Sequence, residues 1–155
     1  MNHFQNSRSV FSISDIAGGP SSASTHTVAI DCLGYDSLSI DVGYRSLATV
    51  GAPSVVALRA ADADQATSYA TVSGLIQGTD YTIAAVTNTA VNNVTRFELS
   101  TKALPRFVQV RVTPNAGVGT SLTNNVVVVA ARLGRGESGV DSASDANVTS
   151  RVVLG

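Results

Sequence analysis

The chain has 155 residues, 44% of them hydrophobic, and a formal net charge of -1, which suits one domain with one ordinary core. Charged residues make up 14%, against the ~25% usual in soluble domains. The nine arginines and the lone Lys102 are scattered, so no basic stripe exists to neutralise a run of phosphates, and this argues against nucleic-acid binding.

The longest apolar run, 126–131, is far too short to cross a bilayer. Residues 1–24 lack the charged start and apolar run of a secretory signal. Cys32 stands alone, so an internal disulfide is impossible. At a strand end it reads as a small buried apolar residue. These signs fit a protein made and folded in a reducing cytoplasm. Aromatics are only 5% and tryptophan is absent, so the core must be built from Val, Leu, Ile and Ala, a composition that favours sheet.

In chain order, residues 1–24 are polar and broken by Gly18, Gly19 and Pro20. Phe4, Val10, Phe11, Ile13 and Ile16 make this stretch a loosely apolar N-terminal arm, one that either dangles or pairs with a neighbour. The first strand spans 25–31, with Val28 and Ile30. A turn follows in which Gly34 is free to take positive φ. The second, 37–43, alternates cleanly: Leu38, Ile40 and Val42 against Ser37, Ser39 and Asp41. Residues 44–53 read as a long connection closed by Pro53.

The third strand, 54–60, turns Val56 and Leu58 inward and carries Arg59 at its wet end. A polar loop holding Asp62 and Asp64 leads to a short strand at 69–72 that stops at Ser73-Gly74. After the turn at Gly78-Thr79-Asp80, strand 81–86 has Tyr81, Ile83 and Ala85 on one face. Residues 87–93, rich in Thr and Asn, read as a loop. Strand 94–101 follows with an imperfect pattern, since Phe97 and Leu99 fall opposite Arg96 and Glu98.

Strand 107–113, fenced by Pro105 and Pro114, is the one around which the chain is organised. Val108, Val110 and Val112 form a dry face; Gln109, Arg111 and Thr113 form a wet one. Strand 125–133 is apolar on both faces through Val126 to Val129, so it is central or covered by a partner. Residues 134–155 have a linker's composition and end in a β-prone segment with Val148, Arg151, Val152, Val153 and Leu154. Seven to nine strands about ten residues apart predict an all-β antiparallel sandwich of immunoglobulin or jelly-roll type, with extended arms at both ends. The domain reading is an arm at 1–24, the sandwich at 25–133, and a flexible linker with a C-terminal arm at 134–155.

No reactive constellation is aligned on these strands. His3 and His26 read as surface residues, and two histidines with one cysteine are too few for a zinc site. Asp62 and Asp64 lack the glycine and distal glutamate of a calcium loop. Glu98 and Glu137 do not form a glycosidase pair, and the Gly134–Gly139 stretch lacks a P-loop lysine. The expectation is no catalytic residue, no metal, no cofactor, and not an enzyme.

Three segments carry a resemblance. Val28-Ala-Ile-Asp31 followed by Gly34-Tyr35-Asp36-Ser37-Leu38-Ser39-Ile40, the strand 54–64 running into its acidic loop, and Arg106-Phe107-Val108-Gln109-Val110-Arg111-Val112-Thr113 resemble blocks of small head proteins of tailed bacteriophages. The likeness covers 25–133. It implies a capsid cement, or decoration, protein with a jelly-roll sandwich, sitting on the outer surface of the virion. Its partner would be the major capsid protein, with self-association as a dimer or trimer. Candidate contacts are the apolar arm positions Phe4, Phe11, Ile13, Val148, Val152, Val153 and Leu154, with Arg45, Arg59 and Arg151 for charge pairing. The alternative is a carbohydrate-binding or adhesin-type sandwich, for which the aromatic platforms available are Tyr35, Tyr44, Tyr69 and Tyr81.

Overall fold

The computed structural model describes residues 7–18, 25–46, 55–82, 91–113, 122–135 and 150–154. They form a β-sandwich. The strands are β1 (Ser7–Gly18), β2 (His26–Asp31), β3 (Ser37–Ser46), β4 (Val55–Ala61), β5 (Ala70–Thr71), β6 (Val91–Ser100), β7 (Phe107–Thr113), β8 (Leu122–Gly134) and β9 (Ser150–Leu154). One sheet runs β1-β8-β3-β6-β9 and the other β2-β7-β4-β5.

The alternation of small apolar residues decides which face each strand buries. In the smaller sheet Val28, Ile30, Val56, Leu58, Val108, Val110 and Val112 point inward and are buried. β7 binds β2 on one side, with Val110 opposite Val28, and β4 on the other, with Val110 opposite Leu58. In the larger sheet the inward residues stand in rows across the strands. Leu38 faces Leu99 and Leu133, Ile40 faces Phe97 and Ala131, and Val42 faces Thr95 and Val129. Burying each such Val, Leu or Ile stabilises the fold by roughly 1.5–3 kcal/mol before entropy is counted.

Turn chemistry fixes the connection from β2 to β3. Asp31 accepts from the Leu33 amide (3.0 Å) and the Tyr35 amide donates to the Cys32 carbonyl (3.1 Å). Gly34 sits at φ +80, a conformation that L side chains avoid. The turn thus uses the freedom that the sequence predicts for Gly34. Cys32 is buried beside the turn, and burial pushes its thiol up to about 11, so it behaves as a packed apolar residue.

Several boundaries differ from those the sequence predicts. β3 runs to Ser46 because Tyr44, Arg45 and Ser46 pair with Asn93, Asn92 and Val91. The Asn-rich stretch read as loop is therefore partly strand, its turn preference overridden by a neighbouring ladder. β8 begins at Leu122 because it pairs with β1 along nearly its whole length. It lies between β1 and β3, with Val127 and Val129 buried on its inner face and Val128 and Ala130 half-buried on its outer one. Of the strand expected at 81–86, Tyr81 makes an isolated bridge with Gln77 and 83–86 fall outside the described residues.

The two ends correct the expectation of arms, as far as they are described. Residues 7–18 are not a loose arm but β1, antiparallel to β8 from Ser7 opposite Gly134 to Gly18 opposite Leu122. The β-prone end folds back as β9 on β6, with Thr95 in register with Ser150 and Leu99 with Leu154. That pair is parallel, so the larger sheet is mixed rather than wholly antiparallel.

Candidate interaction surface

Among the described residues, the outer face of the larger sheet at its β1 side carries the most exposed large apolar side chains of any strand. Phe11 is 65% and Ile13 60% exposed. The cause is local: along β1 the small Ser12 turns inward and the two large residues turn outward, the reverse of the usual pattern. Register sets Phe11 beside Ala130 and Ile13 beside Val128 on β8. Val128 in turn faces Gly43 on β3, where a methyl group would meet Val128 Cβ at 3.8 Å. Small residues on the neighbouring strands leave a low, flat apolar strip. Its border on β3 and β6 is the two-point ion pair of Arg96 with Asp41 (2.6 and 2.8 Å), which is part-buried and holds its fork rigidly.

Beneath the strip, Ser12 Oγ lies 3.3 Å from His26 Nε2 and joins β1 to β2 across the seam of the sandwich. Burial lowers the His26 pKa below its ordinary value, because desolvation disfavours the charged ring. The arrangement ties two sheet edges together.

The remaining expected contacts are dispersed. Phe4 and Val148 lie outside the described residues. Arg45 lies in β3 opposite Asn92. The Arg59 guanidinium donates to the Tyr69 carbonyl, and so braces the loop after β4 instead of reaching outward. Arg151, Val152, Val153 and Leu154 stand in register with Arg96, Phe97, Glu98 and Leu99. Val152 and Leu154 are thus level with core residues and Arg151 and Val153 with the opposite set. The structure brings Phe11 and Ile13 together. It also adds the half-buried Val128 and Ala130, which reasoning from the sequence does not single out. The double-sided apolar pattern of β8 was their signal.

Three of the four tyrosines have described side chains, and each of the three has a partner. Tyr69 is buried and donates to Asp64 at 2.7 Å; burial, aided by that carboxylate, pushes its hydroxyl up to about 12. Tyr81 donates to the Val56 carbonyl and meets Phe97 edge-on at 5.6 Å. Tyr35 lies under the Arg135 guanidinium. Among the described residues no three His, Cys, Asp or Glu side chains gather as metal ligands would. No helix of the structure is long and apolar enough to cross a membrane.

At the other end of β2, Arg106 grips Asp31 with two hydrogen bonds (2.9 and 2.7 Å). The pair holds Asp31 down to about 2 from 3.8. A depressed carboxylate stabilises the fold above its unfolded value and loses that contribution as pH falls towards the folded one. Arg106→Gln is therefore expected to flatten the acid dependence of the unfolding midpoint between about 3.8 and about 2. Because the pair is exposed, the accompanying loss at neutral pH should be small, as urea titrations at several pH values would reveal.

Compared with protein-family models, with curated proteins and with solved structures, the chain matches none of them.

Proposed function

We propose that this protein is a virion structural component that decorates and cements an icosahedral capsid by bridging major capsid protein subunits. The observation that carries the proposal is the flat apolar strip of Phe11, Ile13, Val128 and Ala130 on the outer face of the larger sheet. Apolar residues of this size on a flat rigid face gain free energy when a partner covers them. A cement protein needs such a face, a rigid body and few charges to desolvate, and the chain has 14% charged residues. It would stabilise the shell by mass action, binding the assembled lattice and not its loose subunits.

The strand order supports the finer architectural reading. β1-β8-β3-β6 facing β2-β7-β4-β5 is the order expected of an eight-stranded jelly roll, with β9 added at one edge. This agrees with the resemblance of 25–133 to phage head proteins. The virion's outer surface is the corresponding location.

The test is co-sedimentation of the purified protein with heads that lack it. Wild type is expected to pellet with the heads and to raise their thermal rupture temperature. Val128→Lys, on the strip but on a central strand, is expected to lose most of that retention. Retention unchanged by Val128→Lys, or no binding to heads at all, defeats the proposal, and glycan binding by the isolated protein would favour the adhesin alternative.

A further inference from the structure

The edges of the two sheets are not treated alike. β5 covers only Arg59 and Ala60 of β4. Beyond it the Val56 amide donates to Gln77 Oε1 at 2.8 Å, while its carbonyl accepts from Tyr81. Side chains thus stand in for the missing strand. β9 carries Arg151 near its start, and β2 is half the length of β1, with His26 and Asp31 at its ends. β1 differs: twelve residues long, it has one strand neighbour among the described residues, and its register is unbroken from Ser7 to Ile16. Between Arg8 and Asp15 it holds no charge and no proline. Edges of soluble proteins normally carry such protection, since bare ladder groups pair with other strands.

We infer that β1 pairs with β1 of a second copy of this chain, antiparallel about a two-fold axis at Ser12, to make one continuous sheet across the dimer. The occupant follows from the strand's own symmetry. Pairing that keeps both hydrophobic interiors on one side of the joined sheet must match outward residues with outward residues. With the axis at Ser12, each Phe11 stands opposite Ile13 of the second copy, so the four large exposed side chains cover one another's flanks. Ser9 stands opposite Asp15 of the second copy, and its other neighbour is Arg132 on β8. An axis at Ile13 would instead set Phe11 against Asp15. A two-fold contact also closes on itself, so the exposed edge ends in a dimer and not a fibre.

This pairing holds whether or not the protein docks on a capsid, and it would double the apolar strip about the same axis. It is tested on the full chain alone. Sedimentation equilibrium is expected to give a dimer. Ile13→Lys, altered at two symmetric positions, should weaken association by about tenfold to a hundredfold with the circular dichroism spectrum and thermal midpoint retained. Ser12→Cys should form a covalent dimer on mild oxidation, because the two residues face each other at the axis. Ser9→Cys should not, because register carries it away from its mate. A monomer at every accessible concentration, a trimer, or cross-linking through Ser9→Cys as readily as through Ser12→Cys overturns the inference. Val128→Lys is expected to leave the dimer intact, so failure of capsid docking and failure of this pairing are read separately.

Discussion

Replacing Phe97 by alanine is expected to remove about 3–5 kcal/mol of folding stability. Phe97 is the largest fully buried side chain among the described residues. It stands on β6 opposite Ile40 and in register with Val152 of β9. Its ring meets Tyr81 edge-on, with planes at 81°, a favoured geometry for aromatic pairs. In a chain with only 5% aromatics, the β-branched residues around it cannot reach far enough to fill the space it leaves. Collapse is further limited because the rows on either side are tied into ladders. Guanidinium titration should show a lower midpoint with an unchanged slope. A loss below about 1 kcal/mol would mean that the two sheets do not close over this ring.

The second large effect is at the plug beside β4. Tyr81 touches both sheets: its ring packs on Phe97 of the larger one and its hydroxyl reaches the Val56 carbonyl of the smaller one. Tyr81→Ala is expected to cost about 2–4 kcal/mol, through lost packing and an unmade hydrogen bond on a buried residue. Tyr81→Phe isolates the hydroxyl, for about 1–3 kcal/mol. Because Tyr81 and Phe97 touch, the double alanine variant should lose less than the two single losses added together. Hydrogen exchange at the Val56 amide, which Gln77 holds, should quicken in Tyr81→Ala and leave the β7 amides slow. Equal acceleration in both strands would assign Tyr81 to the global fold instead of this edge.

The sequence disclosed the strands whose large residues face inward. Val108, Val110 and Val112 are fully buried, as are Ile40 and Val42, and β7 has the predicted bounds. Two-residue periodicity works there because each strand has one wet face. It fails at β1 for a physical reason. Phe11 and Ile13 point outward while Ser12 points inward, so the alternation is genuine but inverted, and it read as an arm. β9 is five residues long and carries too little pattern to announce its partner. Its parallel pairing with β6 depends on register that local propensity cannot encode. Arg59 misled differently, since a charged residue at a strand's wet end can turn back to a carbonyl of its own loop. The candidate surface was half legible. Phe11 and Ile13 could be named from their residue types, whereas Val128 and Ala130 needed the β1–β8 register.

The pairing of Ser7 with Gly134 sets a timetable for synthesis. β1 emerges from the ribosome well before β8, the strand it pairs with, and β2 likewise waits for β7. Loops this long must close before their contacts repay the lost chain entropy, so acquisition of the native state should be slow. In that interval the nascent β1, bare and apolar, is the segment that chaperones would be expected to shield, and lowering the growth temperature should raise the soluble yield.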